Sequence, residues 1–214
     1  PNIPWKIIDT YFGDNPTGLV DHHLTSYNSF FKTGMPSIFQ QKNPINISHQ
    51  YNDTTKEYEL KCDMYMGGME GNKIYIGKPV IYDENRPHFM YPNEARLRNM
   101  TYSVTVHYDI DLVYRIVSAS GKVDTSTITL SKMFLGRFPV MVGSDLCITN
   151  GMSTSTRFQM GECRNDRGGY FIIDGKERII VPQERFADNM LYVKAGKDDD
   201  KYSHSAAIRS VSED

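Results

Sequence analysis

One run of alternating residues constrains the fold of this chain more than any other. In the segment from Met100 to Val117, apolar residues occupy every second position as far as Leu112, and polar residues lie between them. A period of two is typical of a β-strand with one buried face. The apolar positions are Tyr102, Val104, Val106, Tyr108, Ile110 and Leu112. The sequence therefore predicts a sheet that contains this strand.

Shorter patterns predict further strands and a few helices. The strands are a hairpin over Ile45–Lys61 turning at Asn52-Asp53, one short strand over Lys73–Tyr82, two extended pieces over Val123–Val142, and a hairpin whose turn contains Gly175. The helices are an amphipathic one over Leu19–Phe39 broken at Gly34 and Pro36, where Pro36 opens a short second helical turn, one or two turns in Tyr91–Asn99, and a short one in Ser153–Met160. These elements predict an α+β fold with a mixed, mainly antiparallel sheet and a few helices.

Composition limits the classes of protein that the chain can belong to. The 214 residues are 39 % hydrophobic and 12 % aromatic, values that allow a packed core and favour strands. The net charge of −2 shows no overall basicity that would indicate a nucleic-acid-binding protein. Three widely spaced cysteines favour a reducing compartment. No stretch approaches the roughly 20 apolar residues of a membrane span, and the first residue, Pro1, suggests a segment of a longer polypeptide.

Three groups of residues resemble catalytic or ligand-binding sites only weakly. His22 and His23 are adjacent, whereas metal ligands on a helix favour a spacing of four. Asp109 and Asp111 lie on one strand face and suit a cation, but no third ligand is near in sequence, so a solvated strand face is favoured. The glycine-rich segment Gly67–Lys73 lacks the ending of a phosphate-binding loop and predicts a flexible turn. No catalytic residue is predicted.

Basic residues offer a stronger indication of function. Arg96 and Arg98 lie near Glu94, which predicts an internal ion pair, and Arg137 among apolar neighbours predicts pairing with a buried acid. The segment Arg167–Val193 and the residues after it carry long cationic and amide side chains. Such side chains on a rigid hairpin suit contact with phosphates, although a solvated edge is the simpler interpretation. The candidate nucleic-acid-binding residues are Lys176, Arg178, Gln183, Arg185, Lys194 and Lys197.

Several short motifs follow one another along the chain. They are PNEARLRNMTY (Pro92 to Tyr102), GRFPVM (Gly136 to Met141), GGYFIIDGKE (Gly168 to Glu177) and QER (Gln183 to Arg185), with LVDHHLTSYNSFF near the start and SHSAAIRSVSED at the end. Together they resemble the N-terminal part of the second-largest subunit, beta in bacteria, of multisubunit DNA-dependent RNA polymerase, in its eukaryotic, archaeal and viral branch. Residues 43–73 depart from the family pattern. The acidic run Asp198 to Asp200 stands where the family is more basic.

The resemblance implies a domain called the protrusion over residues 1–197, followed over 198–214 by a linker into the start of the lobe domain. In the family, this region forms a wall of the cleft beside upstream DNA and the RNA–DNA hybrid. The catalytic aspartates belong to the largest subunit. The resemblance therefore implies a segment that is inactive alone, without a catalytic residue, metal site or cofactor, within a nucleotidyltransferase that uses Mg²⁺.

The implied partners are DNA, the RNA–DNA hybrid, the largest and other polymerase subunits, and initiation factors, with no membrane. The implied location is inside the cell: the nucleus, or the virion or host cytoplasm if the source is viral. A bias toward Asn, Asp, Ile and Tyr favours a divergent branch such as a large DNA virus, with a eukaryotic nuclear or archaeal enzyme as the alternative. Two rival hypotheses are a stand-alone module that binds a protein and no nucleic acid, and a metal enzyme using Asp109 and Asp111.

Overall fold

The computed structural model describes residues 2–54, 57–118, 121–197 and 201–212. The chain divides into two compact units, Pro1–Ile179 and Ile180–Asp214. The strands are β1 (Ile45–Asn52), β2 (Glu57–Met66), β3 (Ile74–Ile76), β4 (Val80–Asp83), β5 (Arg86–Phe89), β6 (Ser103–Val117), β7 (Val123–Pro139), β8 (Phe171–Ile173), β9 (Lys176–Arg178), β10 (Leu191–Ala195) and β11 (His204–Ile208). All of the paired strands are antiparallel, and helices accompany them, so the predicted α+β class is confirmed.

The main sheet of the first unit is built around β6, the strand predicted most clearly. Along one side β6 pairs with β7 over almost its whole length. Its other side is shared, because β3 pairs with Val106–Tyr108 and β2 pairs with Ile110–Ile116. The alternation in the sequence explains this position, since Val104 and Val106 point into the core and are almost fully buried. The predicted hairpin β1–β2 completes the sheet at one edge.

Two of the predicted strands have different limits. The segment Lys73–Tyr82 forms two strands rather than one, because the chain leaves the sheet at Gly77 and enters the β4–β5 hairpin at Val80. Conversely, β7 is a single strand of 17 residues rather than two pieces. Its ladder is interrupted by irregularities instead of ending, and Lys132 at one of them has a φ of 52°.

The helices of the first unit are α1 (Ile3–Asp14), α2 (Asp21–Ser29), α3 (Met35–Lys42), α4 (Pro92–Leu97) and α5 (Thr154–Gln159). The predicted break at Gly34 and Pro36 is wrong, because a π-helical turn over Phe30–Gly34 joins α2 to α3. The predicted second helical segment at Pro36 is confirmed, because Pro36 lies in the first turn of α3. None of the helices in the described ranges is both long and apolar enough to cross a membrane.

The hydrophobic core lies between one face of the β6–β7 sheet, helices α3 and α4, and the strand β8. Its buried members are Met35, Ile81, Met90, Ala95, Tyr102, Val104, Val106, Val140, Val142, Cys147 and Ile172. Helix α2 is attached to this core by Tyr27, whose hydroxyl donates to the Pro139 carbonyl at 2.7 Å and whose ring packs on Phe171. The core therefore joins residues from both halves of the first unit.

The second unit is organised by the hairpin of β10 and β11. Asn189 stabilises it at the base, since its side-chain amide donates to and accepts from the backbone of Val211 at 2.9 Å in each case. The predicted domain boundary between residues 197 and 198 falls within this hairpin. The assignment of the two parts to a protrusion and a lobe linker stays a prediction, and the acidic run 198–200 lies outside the described residues.

Candidate nucleic-acid interface

Three of the motif-bearing segments meet in space and form one structural unit. Tyr102, at the end of the first motif, donates its N–H to the Ile172 carbonyl at 3.0 Å and accepts from the N–H of Val140 at 2.8 Å. Val142 in turn donates to the Tyr170 carbonyl at 2.9 Å. Because these bonds connect segments distant in sequence, the motifs specify a shared backbone framework around the β8–β9 hairpin.

The turn of this hairpin explains the Asp-Gly pair in the sequence. Asp174 and Gly175 have φ angles of 49° and 73°, as a two-residue turn of type I′ requires. Gly175 also approaches the end of α4 closely, since a Cβ there would lie 2.7 Å from the Cα of Asn99. The Gly175 N–H donates to the Met100 carbonyl at 3.0 Å, and Asp174 exchanges hydrogen bonds with Thr101. The predicted hairpin is therefore confirmed, and its turn is held by the first motif.

Arg96 lies at the centre of a largely internal ionic network. Its guanidinium donates to Glu162 and to Glu177 at 2.9 Å each and to the hydroxyl of Tyr170, and it lies 3.6 Å from Asp166. Burial alone lowers the pKa of Arg96, but the hydrogen bonds to Glu162 and Glu177 outweigh it and hold the pKa above its usual range. Arg96 is therefore permanently charged, and it joins α4 to the β8–β9 hairpin.

Arg98 forms a second ionic cluster on the exposed side of α4. It pairs with Glu94 at 3.0 Å, as predicted, and also donates to both carboxylate oxygens of Asp83 at 2.6 and 2.8 Å. The hydrogen bond from Arg98 lowers the pKa of Asp83. The cluster ties the β4–β5 hairpin to α4. The predicted ion pair is confirmed for Arg98, whereas the partners of Arg96 come from segments far away in the sequence.

Lys176 and Arg178 are the two predicted nucleic-acid-binding residues in the first unit. They flank Glu177 on β9, and side chains alternate along a strand. Because Glu177 points toward Arg96, Lys176 and Arg178 project from the opposite face, where both are exposed. Neither forms an ion pair with another described residue. The hairpin therefore presents two uncompensated cations to solvent.

The other four predicted residues belong to the second unit. Gln183 and Arg185 lie between β9 and β10, and Arg185 is 3.5 Å from Asp188. Lys194 is exposed on β10, while Lys197 follows the strand and already interacts within the chain. The expectation that one rigid hairpin carries all these residues is wrong. The β8–β9 ladder ends at Arg178, and the apolar residues from Ile179 to Val181 are exposed without a partner strand among the described residues.

Two other predicted environments are also wrong. Arg137 is exposed on β7 and has no acidic partner in the described part of the chain, because its side of the sheet faces away from the core. Asp109 and Asp111 are buried rather than solvated. The backbone N–H of Lys132, at the irregularity in β7, donates to Asp109 at 2.8 Å and lowers the pKa of Asp109. A folded chain buries such carboxylates only where donors satisfy them.

The carboxylates do not fit a magnesium site. Asp109 also accepts from the Tyr75 hydroxyl at 2.9 Å, and Asp111 accepts from Thr129 at 2.6 Å and from Lys73 at 3.4 Å. In a second cluster, ligand atoms of Asp83, His88 and Glu94 lie within 4.8 Å of one another. There the Arg98 guanidinium already occupies the carboxylates, and Mg²⁺ prefers oxygen ligands and water over imidazole. No catalytic step is derived from either group.

The histidine pair and the glycine-rich turn have structural surroundings. The rings of His22 and His23 pack against each other with centroids 4.1 Å apart. Gly67 donates to the Asp109 carbonyl at 2.8 Å, and a Cβ there would lie 2.8 Å from Phe39. The predicted turn is therefore present, and it packs closely between α3 and β6.

Taken together, the first unit is an α+β fold with an internal ionic network and exposed cations on a short hairpin. The comparison with known proteins gives its class: the chain belongs to the family described as RNA polymerase beta subunit, whose profile matches residues 18–196. The match covers more than the three motif segments that meet at β8 and β9.

Individual relatives come from eukaryotes and archaea. The chain is 35 % identical over 211 residues to DNA-directed RNA polymerase II subunit RPB2 of Encephalitozoon cuniculi, covering 98 % of this chain and 17 % of the relative. It is 30 % identical over 220 residues to DNA-directed RNA polymerase II subunit 2 of Arabidopsis thaliana, covering 98 % of this chain and 17 % of that relative. It is 32 % identical over 208 residues to DNA-directed RNA polymerase subunit Rpo2N of Methanothermobacter thermautotrophicus, strain Delta H, covering 97 % of this chain and 35 % of that relative.

These matches identify the N-terminal segment of the second-largest RNA polymerase subunit, as the motifs predicted. The chain spans about one-sixth of the length of the eukaryotic relatives and about one-third of the archaeal one.

Proposed function

We propose that this chain acts within a multisubunit DNA-dependent RNA polymerase as a non-catalytic scaffold beside the nucleic acid. The observation that supports the proposal most strongly is the family match over residues 18–196. The structure adds a physical reason, because the motif residues build the framework that orients the β8–β9 hairpin. In the proposed function, bond formation and Mg²⁺ binding take place elsewhere in the polymerase, and the carboxylates of the described residues serve structural roles.

The nucleic-acid contacts that we propose are independent of sequence. Lys176, Arg178 and Lys194 are exposed and have no ion-pair partner among the described residues, so they are the strongest of the predicted set. Cations that contact phosphates position a strand without reading its bases, as translocation along any template requires. Arg185 forms an ion pair with Asp188, so it contributes less to binding of phosphates. The proposed partners are DNA, the RNA–DNA hybrid, the other polymerase subunits and initiation factors.

The location follows from this assignment and remains a proposal. A chain in RNA polymerase II acts in the nucleus, one in an archaeal enzyme acts in the archaeal cell, and a viral enzyme acts in the virion or host cytoplasm. The origin in a large DNA virus remains a prediction from composition.

The test is to purify the full-length subunit through an affinity tag and to assay RNA synthesis on a DNA template. We expect the largest subunit to co-purify in equal amounts and labelled nucleotides to enter RNA in a DNA-dependent reaction. A matched preparation lacking the second-largest subunit is the control and should be inactive. Recovery of the tagged chain without polymerase subunits or synthesis would contradict the proposal. Stable binding to some other single protein would then favour the stand-alone interaction module.

A further inference from the structure

A cleft in the first unit has the properties of a second binding site, away from the β8–β9 hairpin. It has a volume of about 650 Å³, within the range of ligand-binding clefts. Its floor is the outer face of the sheet, opposite the core, and its walls are the β4–β5 hairpin and the segment after α4. Its polar and aromatic lining includes Lys78, Tyr82, Asn99, Ser103, Thr105 and Arg137.

The floor of the cleft is a row of residues across three segments. Thr105 on β6 is directly opposite Arg137 on β7, so the two side chains share one face. On the other side of β6, Gly77 donates its N–H to the Thr105 carbonyl at 2.9 Å. A Cβ at Gly77 would lie 2.9 Å from the Thr105 hydroxyl oxygen, so glycine is needed for this close approach and keeps the floor open.

The charge lining the cleft is of one sign. Its charged members are Lys78 and Arg137, and no carboxylate is among the residues that line it. Arg137 has no ion pair in the described ranges, and Lys78 lies over the ring of Phe89 at 5.7 Å from the centroid. The nearby carboxylate of Asp83 is neutralised by Arg98. The cleft therefore concentrates positive potential in a chain whose net charge is negative.

Neutral donors complete the lining. The side chains of Asn99, Ser103 and Thr105 have no hydrogen-bond partner among the described residues, so they are available to a ligand. Hydroxyl and amide groups of this kind, together with Arg and Lys, are the usual protein contacts to phosphate oxygens and sugars. The ring of Tyr82 stands on the rim with 68 % of the residue exposed. A cationic groove combined with an exposed aromatic ring is the pattern of single-strand binding, in which bases stack on aromatic side chains.

We propose that this cleft binds a single-stranded segment of nucleic acid, with Lys78 and Arg137 on the phosphates and Tyr82 against a base. The positive charge of the cleft indicates a polyanionic ligand by itself. Only the identification of that ligand as nucleic acid rests on the proposed function, because an RNA polymerase subunit handles DNA and RNA strands. The exposed aromatic ring favours nucleic acid over an acidic peptide, for which stacking is not required. The contacts proposed here, two cations to phosphates and one ring to the face of a base, do not depend on base sequence.

The first test measures binding of a fluorescent single-stranded oligonucleotide to the assembled polymerase across salt concentrations. Each phosphate contact to a single strand contributes about 0.7 to the slope of log affinity against log salt. The variants Lys78→Gln and Arg137→Gln are each expected to lower the slope by about 0.7, and the double variant by about 1.4. When the salt concentration rises fourfold, the affinity of both proteins falls. The factor by which it falls should be about seven times smaller for the double variant than for the wild type.

The matched control replaces one Arg and one Lys at the far end of the β6–β7 hairpin. Arg115→Gln with Lys122→Gln removes the same charge from exposed positions outside the cleft, and the slope should stay as in the wild type. Equal slopes for the cleft and control double variants would overturn the proposal. All variants are first checked for assembly and RNA synthesis. If the wild-type preparation itself makes no RNA, that result counts against the proposed function rather than against the cleft.

The second test identifies the occupant directly. A photoreactive amino acid replaces Tyr82 in the full-length subunit, and the assembled enzyme is irradiated with template, non-template and RNA strands labelled separately. A crosslink to a DNA or RNA strand that weakens in the Lys78→Gln/Arg137→Gln background supports the proposal. A crosslink to a protein subunit or factor without any to nucleic acid would overturn it and assign the cleft to an acidic protein segment.

Discussion

At the scale of single residues, many side chains of the motifs pack in the core or form ion pairs with other residues of the chain. Arg96 and Glu177 belong to two different motifs, yet they bind each other, while Lys176 and Arg178 beside Glu177 remain free for solvent. The strand period separates these roles, since one face of β9 points toward α4 and the other away from it. Neighbouring residues in a motif therefore serve different functions.

Arg96→Gln is expected to destabilise the chain by about 3 kcal/mol or more, because Glu162 would remain buried without its cationic partner. Urea denaturation of the variant and wild type measures the difference. Arg115→Gln, at an exposed site, should stay within about 0.5 kcal/mol. The double variant Arg96→Gln/Glu162→Gln should recover part of the loss. An effect of Arg96→Gln no larger than the control would show that the network contributes little.

Tyr102→Phe is expected to cost about 1–3 kcal/mol, because the Tyr102 hydroxyl accepts from the backbone N–H of Ile148 at 3.0 Å and that partly buried donor would lose its partner. Burial raises the pKa of Tyr102 above its usual range, so the hydroxyl is neutral at all ordinary pH values. The free energy of unfolding measures the effect. Tyr82→Phe, at an exposed ring, serves as the control, and equal stabilities of the two variants would contradict this role.

At the scale of elements, ionic clusters and backbone bonds attach short pieces to the long β6–β7 pair. The β4–β5 hairpin has only four residues in each strand, and Arg98 holds it to α4 through Asp83. The three-residue strands of the β8–β9 hairpin are held in a similar way by Arg96, Tyr102 and Met100. Elements too short to be stable alone are thus positioned by their contacts with others.

The Arg98 cluster predicts a pH dependence. The pKa of Asp83 is lower in the folded chain than in the unfolded one, where it is about 3.9. Its contribution is therefore present above that value and disappears as the pH falls through the lower folded pKa. Arg98→Gln should lower the urea midpoint at pH 6 and have a smaller effect near pH 3. Arg115→Gln should show no such change with pH. A loss for Arg98→Gln that is the same at both values would contradict the pairing.

At the scale of the whole molecule, the proposed function makes the chain part of a larger assembly, in which its unpaired cations contact nucleic acid. The net charge of −2 gives no hint of this, because it sums 24 Lys and Arg against 26 Asp and Glu wherever each of them lies. Among the described cations without an ion pair, those on β9, on β10 and in the cleft are the ones that we propose to contact phosphates. Local charge, rather than the total, therefore determines where nucleic acid can bind.

Lys176→Gln and Arg178→Gln are expected to lower the salt slope of duplex DNA binding by the assembled polymerase by about 0.9 each. The loss should be equal for DNA of unrelated sequence, since phosphates carry no base information. Lys122→Gln is the matched control for charge. Unchanged slopes in both hairpin variants would remove β9 from the nucleic-acid path, and a loss confined to one sequence would contradict the scaffold role.

The sequence by itself determined the local features. The period-two run placed β6, the Asp-Gly pair placed the β8–β9 turn, and the ordered motifs identified the family, because each depends on residues near one another along the chain. It did not predict α1, none of whose residues is buried in the structure.

Only the tertiary structure decided which charged residues form ion pairs or hydrogen bonds within the chain. Arg96 finds Glu162 and Glu177 across 66 and 81 residues of sequence, and Asp109 is buried because Lys132 and Tyr75 converge on it. The cleft at Arg137 likewise exists only because β7, Gly77 and the β4–β5 hairpin come together. The physical reason is that the energy of a charge depends on its neighbours in space, which the chain brings together only on folding.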